Sequence, residues 1–188
     1  MPPGTFRRPA DPAAFDLQVR EVCETYRAAP ERLKNEGIHT VCVDEKPGIQ
    51  ALERKAPTDP SAGWIFVADN LTTHCSATLV LLIAGLCALP TESLGKKGTS
   101  GVLKSVATRK AFLTDASHRI RFVSVPKHTS WLNRVEIWFS VLTRRVLKRG
   151  DFRSKAELRN RVLEFIAYFD RTMAKPYKWT FAGRPLNV

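Results

Sequence analysis

Three short apolar runs divide the chain, and each has the composition of a buried β-strand. They span residues 38–44, 64–70 and 120–125, and all three are rich in β-branched and aromatic residues. Gly37 precedes the first run and Pro126 stops the third. Because the first two runs are apolar on both faces, their strands are predicted to be covered by helices on both sides.

Apolar residues at helical spacing predict five helices around these strands. The first begins with Asp11 as N-cap and Pro12 in its first turn, and Gly37 closes it. The others cover residues 76–89, 102–115, 133–148 and the stretch after a capping box formed by Ser154 and Glu157. The last helix is predicted to bury its apolar stripe, Leu158, Val162, Phe165, Ile166 and Phe169. Three tryptophans are also expected in the core: Trp131, Trp138 and Trp179. Alternating strands and helices predict an α/β layer fold.

The length of 188 residues and an apolar content of 44% favour one folded domain over residues 11–188. Residues 1–10 are Pro-rich and basic and are predicted to be extended or disordered. The four cysteines form no CxxC pair, so a disulfide framework or zinc site is not expected. The longest apolar run, residues 77–89, is too short to span a bilayer, and no signal peptide is recognised. We therefore expect a cytoplasmic protein without a membrane segment.

Positive charge is concentrated in one part of the chain. The net charge is +12, and residues 96–161 contain 17 Lys and Arg against four Asp and Glu, whereas the remainder is nearly neutral. Such a segment attracts polyanions and releases their condensed counterions, which makes nucleic acid the expected partner. Two alternatives stay open, a solvated basic face without a partner and a purely electrostatic binder of the ribosomal kind.

Three carboxylates stand where a sheet fold places functional residues. Asp44 and Asp69 each follow an apolar strand, and Glu136 lies one turn into the helix after the third strand. The carboxyl ends of parallel strands meet at one edge, and the 19 residues between the first two strands are enough for a parallel crossover. Converging carboxylates need a cation, for which Mg²⁺ is suited, and two such ions about 4 Å apart catalyse phosphodiester displacement. Spacing alone leaves another interpretation open, in which each Asp is a turn residue that closes a strand and the first-turn Glu only favours the helix dipole.

Several motifs in order resemble one known family. The stretches "VCVDEKPGIQALERKAP", "WIFVADNLTTH", "HRIRFVSVPKHTSWLNRVEIWFSVLTRR" and "YFDRTMAKPYKWTFAGRPL" are similar to the catalytic region of bacterial insertion-sequence transposases related to mariner, in the DDE endonuclease superfamily. The resemblance runs from about residue 38 to residue 186. Its most specific parts are the contexts of Asp-Asn-x-x-x-His and Leu-Asn-x-x-Glu.

The resemblance implies a ribonuclease H-like fold, a mixed sheet flanked by helices, with an Asp-Asp-Glu triad. Asp44, Asp69 and Glu136 match the triad, which in the family binds two Mg²⁺ ions, with Mn²⁺ as a substitute. The implied chemistry is DNA strand cleavage followed by strand transfer. Asn70, His74 and Asn133 match accessory positions near the site.

The implied partners are DNA, both element ends and target, and a second copy of the chain in a homodimer. Nine basic residues are candidates for contacts with the phosphate backbone. They are Lys104, Arg109, Lys110, Lys127, His128, Arg144, Arg145, Lys148 and Arg149.

Two departures from the family pattern are visible. The helix-turn-helix region that usually comes first is represented only by its end, and the hairpin usually found between the first two Asp motifs is expected to be missing, at about residues 57–63. The loss would leave the first strand with an unpaired edge. Two alternatives to an active transposase therefore stay open: a catalytically inactive DNA-binding remnant of a decayed element, and a general nuclease without strand transfer.

Overall fold

The computed structural model describes residues 11–44, 61–69, 72–126, 129–148, 150–175 and 179–180. Within them the helices are α1 (Pro12–Glu36), α2 (Ala77–Leu86), α3 (Val106–Leu113), α4 (Val135–Leu142) and α5 (Lys155–Thr172). The strands are β1 (Ile38–Val43), β2 (Gly63–Ala68) and β3 (Ile120–Ser124). The α/β fold predicted from the sequence is confirmed. The predicted lead-in, residues 1–10, lies outside the described residues.

The three described strands form one parallel sheet in the order β1-β2-β3. Val43 of β1 pairs with Ala68 of β2, and Ala68 pairs with Ser124 of β3. The ends of all three strands therefore lie side by side, and we call the edge formed by Val43, Ala68 and Ser124 the carboxyl edge. Of the place expected for the missing hairpin, about residues 57–63, residues 57–60 lie outside the described part of the chain, and residues 61–63 lead into β2.

Helices cover both faces of the sheet because successive strand residues point to opposite sides. On one face, α1 packs on alternate residues of β2 and β3 in a buried cluster of Val19, Val22, Cys23, Tyr26, Ile65, Val67, Val123, Val125 and Leu132. On the other face, α2 and α3 pack on the intervening residues in a second cluster of Val80, Ile83, Ala84, Leu94, Leu103, Leu113 and Ile120. Each fully buried Val or Leu contributes about 1.5–3 kcal/mol, so these two layers supply most of the driving force for folding.

Helix α1 begins and ends where the sequence predicts. The Asp11 side chain accepts a hydrogen bond from the Ala14 amide at 3.0 Å, and Pro12 occupies the first turn, where its missing N–H is not needed. Gly37 ends the helix at a φ of 65°, a left-handed conformation that glycine adopts without strain. This sharp stop allows β1 to begin at the next residue.

Tyr26 of α1 links three parts of the fold through its hydroxyl group. The hydroxyl donates to the Leu132 carbonyl at 2.9 Å and accepts from the Cys42 thiol at 3.3 Å and the Arg134 amide at 3.4 Å. Burial raises the pKa of Tyr26 well above its ordinary value, so the phenol stays neutral and keeps its donor. Helix α1, strand β1 and the segment before α4 are thereby fixed to one another.

Helix α4 is shorter than the predicted helix over 133–148. It ends at Leu142 and continues as a π-helical turn, Thr143–Leu147. A π-turn carries i to i+5 bonds and often occurs as a single turn within a longer helix. The Lys148 amide donates to the Thr143 carbonyl at 2.8 Å, in keeping with that pattern.

Two packing predictions are wrong. No residue of α5 is buried, and its predicted apolar stripe is only half-buried, because its main contacts in the described part of the chain are with the π-helical turn. Trp131 is 54% exposed instead of lying in the core. Trp179 is half-buried against the α1 cluster, as expected, and Trp138 is half-buried with its ring edge toward Phe139. Amphipathic spacing shows which face is apolar but does not provide a partner to cover it.

We expect Tyr26→Phe to lower the free energy of unfolding by about 1–3 kcal/mol, because the buried Leu132 carbonyl would lose its donor. The measurement is urea unfolding followed by circular dichroism. Tyr168→Phe is the matched control: Tyr168 lies on α5 and is 49% exposed, so its change should stay within about 0.5 kcal/mol. Equal effects of the two substitutions would contradict the role assigned to the Tyr26 hydroxyl.

Candidate functional site

Asp44 and Asp69 are neighbours at the carboxyl edge. Val43 and Ala68 are paired in register, and the next residue of each chain segment is an aspartate. Adjacent strands lie about 5 Å apart, so the two aspartates leave the sheet side by side. Both are half-buried. The predicted parallel pairing of their strands is therefore present, and it is what brings these two residues together.

Glu136 lies in the helix that Asn133 ties to the end of β1. The Asn133 side-chain amide donates to the Val43 carbonyl at 2.9 Å, directly before Asp44, and Asn133 is completely buried. The Glu136 amide in turn donates to the Asn133 carbonyl at 3.0 Å, so Glu136 lies one turn beyond this contact, in the first turn of α4. Its side chain is half-buried. The hydrogen bond from Asn133 thus holds the start of α4 against the end of β1.

His74 contacts the Asp69 carboxylate. It lies in the short 3₁₀ turn Thr72–Cys75, and its Nε2 atom is 3.2 Å from Oδ1 of Asp69. Nε2 is buried, and among the described residues it has no hydrogen bond of good geometry, so the pair is a close polar contact. This contact restricts the orientation of the Asp69 carboxylate, which is the kind of support that outer residues give to a ligand.

A small pocket adjoins the same aspartate. It is lined by Asp69, His74, Lys110, Ser124 and neighbouring side chains, with room for about 10 Å³. That volume corresponds to about one water molecule. Lys110, on α3, lines the same pocket as Asp69. Its positive charge partly compensates the negative charge of that carboxylate.

The side-chain oxygen atoms at the carboxyl edge are suitable ligands for a hard divalent cation. Carboxylate oxygens are the ligands that Mg²⁺ prefers, and Oδ1 of Asn133 is a buried oxygen with no hydrogen-bond donor among the described residues. In the described arrangement, no three His, Cys, Asp or Glu side chains are close enough together to hold a metal ion. The triad of Asp44, Asp69 and Glu136 therefore stays a prediction that the edge position supports.

The candidate basic residues differ in what the structure leaves available. Lys104, Arg144, Arg145 and Lys148 are exposed. Arg109 is half-buried, and its guanidinium donates to the carbonyls of Cys75 at 2.6 Å and Leu103 at 3.0 Å. These bonds tie the 3₁₀ turns beside α3 together, so Arg109 has a structural role. The predicted residues Asn70, Lys127, His128 and Arg149 lie outside the described residues.

Two residues near the edge were not predicted from the sequence to matter for the site. They are Tyr26 and Arg134, and neither is among the site residues predicted above. In the structure the Arg134 guanidinium lies 5.5 Å from the centre of the Tyr26 ring and 5.6 Å from that of Trp179. These contacts flank Asn133. The choice of Tyr over Phe at a core position was the available signal, because a buried phenol usually has a hydrogen-bond partner.

Comparison with known proteins identifies a family. The model of a family described as DDE superfamily endonuclease matches residues 36–159, more than half of the chain. The matched segment contains Asp44, Asp69 and Glu136. Comparisons with curated proteins and with solved structures gave no match. Among the described helices, none has the length and hydropathy needed to cross a membrane.

We expect Asn133→Ala to lower the free energy of unfolding by about 1–3 kcal/mol, because the partly buried Val43 carbonyl would lose this donor. Asn160→Ala is the control, since Asn160 is exposed on α5 and alanine there only improves helix propensity by a few tenths of a kcal/mol. Urea unfolding of both variants is the measurement. Equal stability of the two would show that the contact with β1 contributes nothing.

Proposed function

Because the chain belongs to the DDE superfamily endonucleases, we propose that it is a transposase catalytic domain that cleaves and joins DNA strands with divalent cations. One observation carries the proposal. Asp44 and Asp69 end paired parallel strands, and Asn133 holds the helix of Glu136 against the same edge. This is the position where open α/β sheets carry their functional residues.

In this proposal Asp44, Asp69 and Glu136 hold two Mg²⁺ ions, which Mn²⁺ can replace. When bound, the ions would favour deprotonation of the attacking hydroxyl and stabilise charge on the leaving oxygen. His74 orients Asp69, and Asn133 positions the first turn of α4. The protein's own contribution is to fix three carboxylates that would otherwise repel one another.

The proposed reaction has two steps that balance. In cleavage, the oxygen of water bonds to phosphorus while the bond from phosphorus to the 3′ oxygen breaks, and that oxygen takes up a proton to become a 3′-hydroxyl group. In strand transfer, this hydroxyl attacks a target phosphodiester, so one phosphodiester bond forms as another breaks. The same carboxylates serve both steps because both are displacements at phosphorus.

DNA is the proposed substrate and partner. Arg144, Arg145 and Lys148 are exposed and follow Glu136 along the same continuous helical segment. At about 1.5 Å per residue, Arg144 lies some 12 Å from Glu136 along the axis, within reach of neighbouring phosphates of one strand. Exposed Lys104 and the pocket residue Lys110 extend the positive charge to α3. Backbone contacts of this kind position DNA without reading its sequence.

We further propose that the chain derives from a bacterial insertion sequence related to mariner and acts as a homodimer on paired DNA ends. The 19 residues between β1 and β2 are enough for a parallel crossover without the family's additional hairpin.

A second function, a DNA-binding remnant without catalysis, is favoured by the spacing of the acidic side chains among the described residues. A nuclease without strand transfer would use the same carboxylates.

We expect Asp69→Asn and Glu136→Gln to reduce Mg²⁺-dependent nicking of supercoiled plasmid by more than about 100-fold, because each removes a charged ligand. His74→Ala should cost about 10- to 100-fold, the usual range for an outer residue. Asp170→Asn removes an exposed carboxylate from α5 and should leave the rate unchanged. If the Asp69 and Glu136 variants nick DNA at the rate of the unaltered chain, the carboxyl edge is not the catalytic site. If all the proteins bind DNA and none nicks it, the chain is a DNA-binding remnant without catalysis. Joined products distinguish a transposase from a nuclease.

We expect Arg144→Gln and Lys148→Gln each to lower the salt dependence of DNA binding. Each phosphate contact contributes about 0.9 to the slope of log K against log salt concentration on duplex DNA, so each variant should lose about that amount. Arg20→Gln removes an exposed charge from α1 and is the matched control. Fluorescence anisotropy of a labelled duplex over a salt series gives the slopes. If all three variants keep the slope of the unaltered chain, α4 and its π-turn do not form the DNA interface.

A further inference from the structure

We propose that a second pocket, at the end of the sheet opposite the carboxyl edge, binds a phosphate group. It has a volume of about 570 Å³ and lies between the last turn of α1 and the first residues of the strands. Its charged and titratable lining consists of Arg32, Glu36, His118, Arg119 and Arg121. The six-residue strands separate it from the carboxyl edge by about 20 Å. It is therefore distinct from the proposed catalytic site.

The charge in this pocket favours an anion. Three arginines face one carboxylate, Glu36, which leaves a formal charge of +2 with His118 neutral. None of the three arginines forms an ion pair with a carboxylate in the part of the chain that the structure describes. The carboxyl end of α1 contributes a partial negative charge of about half a unit, which reduces this excess without cancelling it.

Two residues that line the pocket, Arg32 and His118, each have a buried side-chain nitrogen. Nη1 of Arg32 and Nδ1 of His118 have no hydrogen-bond partner among the described residues. A buried guanidinium nitrogen without an acceptor is unfavourable, and such a group calls for a bound water or ion. Phosphate oxygens are strong acceptors for arginine, since the planar guanidinium can donate two parallel bonds to them.

The other two arginines are set in place by the sheet. Arg119 donates through Nη1 to the Ala62 carbonyl and through Nη2 to the Leu86 carbonyl at 2.8 Å, so its charge is held rigidly. Arg121 pairs in register with Ile65, which places both side chains on the face covered by α1. These two positioned arginines, together with Arg32, form an arrangement that suits a multiply charged oxyanion.

The size and walls of the pocket extend this to a phosphate ester. Its volume falls within the range of small-molecule sites, about 300–1,000 Å³, and exceeds what one phosphate group fills. Ile38 and Ile65 provide apolar wall beside the arginines. The ligand chemistry is therefore a phosphate attached to an organic group, either a small phosphate ester or a phosphate of a DNA strand.

Thermal unfolding of the full chain in inorganic phosphate, against chloride at matched ionic strength, tests the pocket. Phosphate should raise the Tm of the unaltered chain and of Arg171→Gln, which loses an exposed charge on α5. Arg32→Gln and Arg121→Gln should bind phosphate at least about tenfold more weakly and lose most of the Tm rise. Arg119 is not substituted, because its bonds hold α2 to β2. An equal Tm rise in all four proteins would overturn the proposal.

DNA binding then separates the two sources of the phosphate. If Arg32→Gln and Arg121→Gln weaken the binding of a labelled duplex more than Arg171→Gln does, the pocket takes a phosphate of DNA. If these two variants bind the duplex as Arg171→Gln does but lose the Tm rise in phosphate, the pocket takes a small phosphate ester. Because the first measurement involves neither Mg²⁺ nor nicking, failure of the pocket and failure of the proposed catalysis are distinguishable.

Discussion

The candidate site depends on one partly buried hydrogen bond, from the Asn133 side chain to the Val43 carbonyl. Apolar packing is not directional, and it would hold α4 near the sheet without fixing how far along β1 it begins. A hydrogen bond of 2.9 Å from the completely buried Asn133 does fix that distance, because breaking it removes this donor from the carbonyl. Glu136 comes one turn after Asn133, and Asp44 comes one residue after Val43. A single polar contact therefore joins the third candidate ligand to the first.

Tyr26 of α1 stabilises the segment that contains Asn133. Its hydroxyl uses its one proton for the Leu132 carbonyl and both remaining contacts for Cys42 and the Arg134 amide, so the residues on either side of Asn133 are held as well. The Arg134 guanidinium lies against the Tyr26 and Trp179 rings, which links residue 179 to the same point. Helix α1 contributes to the site although it carries no candidate ligand. Its influence is on position: it sets where α4 can start.

The parts of this arrangement that follow from local pattern could be predicted from the sequence. Asp44 and Asp69 each follow an apolar strand. Because these two strands are parallel and adjacent, the two residues are neighbours. The parts that depend on distant contacts could not be predicted. Nothing near Asn133 in the sequence indicates that its partner is Val43, 90 residues earlier, and nothing near Trp131 indicates that its ring is exposed. The stripe of α5 shows the same limit, since periodicity reports a face and not the element that covers it.

Exposure, more than net charge, decides which basic residues can contact a phosphate backbone. The basic segment includes Arg109 and Arg119, yet both donate to backbone carbonyls inside the fold. Arginine suits this task because its planar fork can satisfy two carbonyls at once and remains charged. Lysine presents a single point charge, and Lys104 and Lys148 are exposed. A count of positive charges along the chain therefore overstates the surface available to DNA, and the arginines that hold the fold together must be subtracted before charge is interpreted as an interface.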